Sequence, residues 1–167
     1  MTPSASPPPA DGAPVGRSSY RVEATTRAPV EAVWPLVGHA ARWQEWSFLT
    51  RTLLERPGPG EPDGVGAVRR FTAHGVGSTE QVVAWDPPHH LAYRIVRGFP
   101  VRNYQADVTL EDDGRGGTRI VWSGRYDPKI PGSGPVLAVV LPKMMQRFAD
   151  QLAAFADGAE ASRPGGA

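Results

Sequence analysis

The sequence predicts an α+β fold in which a curved antiparallel sheet of about seven strands wraps around one long C-terminal helix, leaving a hydrophobic pocket between them. Three observations carry this expectation. Short segments of period-two alternation, separated by turn residues, read as an antiparallel meander. Two short helical segments interrupt the series after its first strand. From about Pro135 the apolar spacing changes to threes and fours, the period of a helix with one buried face.

Residues 1–17, MTPSASPPPADGAPVGR, are rich in Pro and lack hydrophobic periodicity, so they are expected to be disordered. The segment Gly158–Ala167 gives the same expectation, and the folded unit is expected to run from Ser18 to Asp157. Tyr20, Val22 and Ala24 alternate with Arg21, Glu23 and Thr25 in a first strand with one buried side. Pro29 suits the first position of the helix that follows, Glu31 favours its N-terminus, and Val30, Val33, Trp34 and Val37 share one face. Pro35 should kink or shorten this helix. After Gly38 a second short helix carries Trp43 and Trp46, which project the same way. Further strands are expected near Phe48–Glu55, Ala67–Thr72, Gly77–Asp86, His90–Arg97, Asn103–Asp112 and Thr118–Tyr126. The breaks between them, PGPGEPDG, HG, PP, GFP and DDGRGG, hold the Gly, Pro and Asp that tight turns use. In the last helix Leu137, Leu141, Met144, Phe148, Leu152 and Phe155 form one apolar stripe, and Pro142 should bend it.

Composition bounds the function. The chain has 167 residues, an ordinary length for one domain, with 40% hydrophobic and 21% charged residues, a globular balance. The absence of cysteine excludes disulfides, thiolate metal sites and cysteine nucleophiles. The first residues have no apolar run of the signal-peptide kind, so a cytoplasmic location is expected. The longest aliphatic run, Val136–Leu141, ends at Pro142, far short of the roughly 20 residues that a membrane span needs. Lys and Arg number 18 and Asp and Glu 17, spread without the basic stripe that nucleic acid would require. No HExxH, GxSxG or phosphate-binding glycine loop occurs, so neither a metal nor another cofactor is implied. His89 and His90 follow Pro87 and Pro88 in a turn, and His39 and His74 fall in connections.

A two-residue turn at His74-Gly75 fixes a register. Ala73 then pairs with Val76, Phe71 with Ser78, Arg69 with Glu80 and Ala67 with Val82, all on one side of the sheet. Either this side faces inward, with an ion pair inside an apolar space, or it faces solvent as an ordinary surface pair. Elsewhere the parity is clear. Leu91, Tyr93 and Ile95 point inward, as do Tyr104, Ala106, Val108 and Leu110, and Ile120, Trp122 and Tyr126 with Gly124 among them. Such an interior, aromatic and aliphatic with tyrosine hydroxyls that need partners, suits an apolar ligand with a few polar groups.

The segments APVEAVWPLVGHAARWQEW, GVGAVRRF, STEQVVAWDPPHHLAYRI and GGTRIVWSGRYDP resemble the START-related, birch-pollen-allergen-like proteins of the helix-grip fold, the SRPBCC superfamily. The resemblance covers nearly all of Tyr20–Ala156 and is greatest to the polyketide cyclase/dehydrase group. Pro35 and Gly38-His39 depart from the pattern, which more often has an unbroken helix followed by an acidic residue. The motifs specify fold more than reaction, since similar members include cyclases, dehydratases and binders of lipids or hormones. In plant lachrymatory-factor-synthase-like members an Arg on one strand and a Glu on the next lie inside the cavity. Arg69 and Glu80 match them, so the resemblance implies an internal, catalytic pair.

The function implied is binding of a small hydrophobic, carbonyl-bearing or polyketide-like molecule and its cyclisation, dehydration or isomerisation. Glu80 would move the proton, while Arg69 would stabilise the oxyanion and hold Glu80 ionised. Trp43, Trp46, Phe71, Tyr93, Tyr104, Trp122, Met144 and Phe148 are the expected ligand-binding residues, with Trp34 in the core. Two alternatives stand beside this: a noncatalytic carrier of a hydrophobic metabolite or lipid, and a protein-interaction module like the Hsp90-activator branch. Nothing in the sequence fixes an oligomeric state.

Overall fold

The computed structural model describes residues 12–162. Its elements are β1 (Ser18–Thr26), α1 (Val30–Gly38), a 3-10 turn (Ala40–Arg42), α2 (Trp43–Trp46), β2 (Arg51–Arg56), β3 (Val68–Ala73), β4 (Val76–Asp86), β5 (His90–Arg97), β6 (Val101–Asp112), β7 (Thr118–Pro128) and α3 (Gly134–Ala161). The seven strands form one antiparallel sheet in the order β1-β7-β6-β5-β4-β3-β2. Every sequential pair from β2 to β7 is a neighbour, whereas β1 lies beyond β7. The segment holding α1 and α2 therefore crosses the width of the sheet between its two edges. α3 packs on β1 and β7 and meets α1 and α2, so the core lies between helices and sheet.

Three local differences from the sequence reading have physical causes. Pro29 is the N-cap of α1 in extended conformation instead of its first helical residue. β2 begins at Arg51 and not near Phe48, because the preceding residues close off α2. There the Ser47 hydroxyl donates to Trp43 O and accepts from Leu49 N–H, while Phe48 N–H donates to the Gln151 side chain. The stripe of α3 is rotated toward its alanines, so that Met145, Ala149, Ala153 and Ala156 are buried while Met144 and Phe155 are only partly so. α3 continues through Pro142 as one helical segment.

The residues just outside the expected folded unit are better tied down than composition suggests. Gly16 N–H donates to Asn103 O, Gly16 O accepts from Arg125 Nε, and Arg17 N–H donates to Asp127. Helix α3 extends past Asp157 to Ala161, so the first residues of the expected C-terminal tail are helical. The rest of the two expected tails, residues 1–11 and 163–167, lies outside the described residues.

Candidate functional site

The turn between β3 and β4 positions the site. His74 and Gly75 both have positive φ, 48° and 85°, the pattern of a two-residue type I′ hairpin turn. Its register sets Arg69 opposite Glu80, Phe71 opposite Ser78 and Ala73 opposite Val76. This side of the sheet faces inward: Arg69 is 0% and Glu80 6% exposed.

Arg69 and Glu80 occupy different depths. Arg69 Nη2 lies 3.4 Å from Glu80 Oε2 and Nη1 lies 3.3 Å from Gly38 O, at the end of α1. The guanidinium carbon is 5.3 Å from the Phe71 ring centroid, 5.5 Å from that of Trp43 and 5.7 Å from that of Tyr93, so three aromatic faces surround the cation. Its Nε has no hydrogen-bond partner among the described residues. Only Glu80 of the two borders the cavity between sheet and helices, a space of about 140 Å³. Arg69 sits behind it, which corrects the expectation that its guanidinium faces a substrate.

The balance at Glu80 also differs from expectation. Burial pushes its pKa up to about 7, and the attraction of Arg69 only partly opposes that rise. Near neutral pH the carboxyl is therefore poised between its two forms instead of being held ionised.

Tyr93, Tyr104 and Ser78 supply the remaining polar side chains of the lining. Tyr93 and Tyr104 line the cavity, with ring centroids 6.3 Å apart. Trp122 Nε1 donates to the Tyr93 hydroxyl at 3.1 Å, and the Tyr104 hydroxyl is hydrogen-bonded to that of Tyr20. Burial raises the pKa of all three tyrosines above the ordinary value, so they are neutral hydrogen-bonding groups. The sequence reading placed Tyr20 only on a buried strand face. The overlooked signal is Gly124, which pairs with Tyr20 across β1 and β7. A Cβ there would lie 2.5 Å from the Tyr20 ring and hydroxyl, so the glycine makes room for the tyrosine to cross β7 toward Tyr104 on β6.

The wall is aromatic and aliphatic. Trp43 stacks on Phe71 with centroids 4.6 Å apart, and both line the cavity together with Met144 and Phe148. Phe48 and Met145, absent from the expected set, line it too. Phe48 precedes β2 instead of opening it, and its ring lies 4.5 Å from that of Phe148. Trp46 and Trp122 do not border the space. Trp46 donates its N–H to Leu36 O and packs behind Trp43 and Phe148, and Trp122 forms a second layer beneath the same two rings. Trp34 packs in the core against Trp85, with centroids 4.9 Å apart. His90 opens β5 instead of lying in a turn, and its Nε2 is 2.9 Å from Asp107 Oδ1.

Comparison with known proteins agrees with this architecture. A family model described as polyketide cyclase / dehydrase and lipid transport matches residues 17–160. Among solved structures, the protein XoxI from Bacillus cereus is similar with a TM-score of 0.71 and 20% identity, over 86% of this chain and 98% of that one. A protein from Thermobifida fusca has a TM-score of 0.69 and 25% identity, over 86% and 93%. A START superfamily protein from Mycobacterium smegmatis has a TM-score of 0.70 at 12% identity, over 84% and 98%. No curated protein matches the sequence.

Proposed function

Because the chain belongs to the polyketide cyclase / dehydrase and lipid transport family, within the START-related SRPBCC proteins, we propose that it binds a small hydrophobic, carbonyl-bearing molecule and rearranges it by proton transfer. The observation that carries this reading is the position of Glu80, a buried carboxyl at the wall of a mostly apolar cavity, where burial pushes its pKa up to about 7. A base with a pKa near the working pH is present in its active form and still strong enough to take a proton from carbon beside a carbonyl. The carbonyl oxygen, gaining negative charge, would accept a hydrogen bond from Tyr93 or Tyr104. Arg69 would act from behind, keeping the Glu80 carboxylate in place. Protonated Glu80 could return the proton elsewhere on the substrate, which completes an isomerisation or cyclisation or assists loss of water.

Size narrows the ligand. An apolar cavity of roughly 150 Å³ accommodates benzene, so the 140 Å³ here suits a single ring, and a longer molecule would extend through the opening. The test is turnover and affinity of Glu80→Gln with single-ring and short β-polyketone substrates. The amide keeps the shape but cannot exchange a proton, so turnover should fall by about 10²- to 10⁴-fold with affinity retained. Retained turnover would refute the role.

The carrier reading has its own support. The Tyr104 hydroxyl is engaged by Tyr20, and the Arg69 cation, the strongest group for stabilising an oxyanion, lies behind Glu80 and away from the cavity. Loss of affinity in Glu80→Gln without any turnover in the unmodified protein, together with a ligand retained in native mass spectra, would favour the carrier.

A further inference from the structure

The opening of the cavity is bordered by apolar side chains left in solvent. Val76, at the tip of the β3–β4 hairpin, lines the cavity and is 67% exposed, which places the opening there. Across from it α3 contributes Leu141 and Met144 to the cavity while turning Val136, Val139 and Val140 outward, at 63%, 53% and 46% exposure. Ile130, in the loop leading into α3, is a further exposed aliphatic residue. Spacings of three and four put the three valines on one helical face, and exposed Lys143 and Arg147 continue that face.

Charge is as unevenly distributed as hydrophobicity. Between Asp127 and Asp150 the sequence contains Lys129, Lys143 and Arg147 and no carboxylate, whereas the remainder of α3 carries Asp150, Asp157 and Glu160. The first half of the helix is thus aliphatic and cationic, and the second half is acidic.

We propose that this rim docks on an anionic lipid surface, valine face down, with the mouth of the cavity opening onto the bilayer. An exposed aliphatic face flanked by long cationic side chains is what an interfacial helix presents: the apolar part enters the acyl boundary and the cations pair with anionic headgroups. The contact is peripheral, since no helix among the described residues is long and apolar enough to cross a membrane. Its consequence is a path for a hydrophobic ligand between bilayer and cavity without passage through water. Docking is independent of any chemistry at Glu80.

The test is cosedimentation of the full chain with vesicles of phosphatidylcholine alone and of phosphatidylcholine with about 30% phosphatidylserine. Binding to the anionic vesicles should be at least about tenfold greater, and should weaken with salt. The variant V139E/V140E should bind anionic vesicles no better than the wild type binds neutral ones, and K129E/K143E should lose the preference for phosphatidylserine. None of these residues borders the cavity, so ligand affinity and circular dichroism should be unchanged. Failure of the wild type to bind either vesicle, or binding by both variants equal to that of the wild type, would overturn the proposal. So would a dimer that forms without vesicles and is abolished by V139E/V140E, which would assign the face to a second copy of the chain.

Discussion

Folding stability should fall between pH 5 and pH 8 because of Glu80, and Glu80→Gln should remove that fall. The folded-state pKa is about 7 against 4.5 for a free carboxyl, so the native protein holds this proton more tightly than the unfolded chain does. The associated stabilisation is complete below the unfolded value and disappears as pH rises through the folded one. At roughly 1.4 kcal/mol per pKa unit, the rise from 4.5 to about 7 corresponds to about 3 kcal/mol, most of it lost between pH 5 and pH 8. Glutamine resembles the protonated carboxyl. The variant should therefore match the wild type within about 1 kcal/mol at pH 5 and exceed it by about 2 to 3 kcal/mol at pH 8. Glu23, Asp127 and Asp157, whose pKa values are lowered, lose their stabilising contribution only in more acidic solution. Histidines are common to both proteins and cancel in the comparison. Urea denaturation followed by tryptophan fluorescence at four pH values gives the two curves. Parallel curves would show that the attraction of Arg69 balances burial, and a wild type that gains on the variant as pH rises would show that it outweighs burial; either result would refute the reasoning.

Three further outcomes follow from packing. Phe148→Ala should cost roughly 3 to 5 kcal/mol in chemical denaturation, since the ring packs among Phe48, Trp43 and Trp122, and an unchanged midpoint would contradict its burial. Gly124→Ala should lower stability by about 1 to 3 kcal/mol by driving a methyl group into Tyr20, and a thermal midpoint equal to that of the wild type would show the tyrosine free to move aside. Deleting Met1–Asp11 should leave the thermal midpoint unchanged, whereas deletion through Arg17 should lower stability by about 1 to 3 kcal/mol by removing the hydrogen bonds of Gly16 and Arg17. Equal midpoints for the two truncations would refute that difference.

The strand series was legible because its turns are written in Gly, Pro and Asp, and one of them, His74-Gly75, also fixed a register. That register was enough to oppose Arg69 and Glu80 but not to say which way they faced. β3 reads VRRFTA, with an arginine on each side, so alternation offers no contrast. The inward side is the one packed against α1 and α2, where Arg69 meets the Gly38 carbonyl and the Trp43 ring, partners distant in sequence. Depth was equally hidden, since which member of the pair meets the cavity depends on where α3 lies. The Tyr20–Tyr104 contact joins β1 to β6 across an intervening strand, beyond the reach of pairwise strand patterns. The buried face of α3 lies a fraction of a turn from its stripe of large apolar residues, because alanines, which add little to the hydrophobic pattern, line the buried side.

The two borders of the sheet are closed in different ways, and this bears on how the protein avoids self-association. Along β1 the Gln146 side chain of α3 donates to Glu23 O, and Thr26 and Arg27 are tied to Asp157, so the helix covers that border and leaves it little to offer another strand. β2 meets the 3-10 turn and α2 instead of the long helix. It is only six residues long, its pairing with β3 is interrupted by a register shift between Leu54 and Arg56, and exposed Arg51 and Arg56 stand on it. The prolines of PGPGEPDG follow immediately. Short length, irregular pairing, positive charge and proline each discourage the addition of a strand from a neighbouring molecule. Protection from edge-to-edge growth therefore rests on packing at β1 and on local sequence at β2, and at the latter border it could be lost by surface substitutions that leave the interior intact.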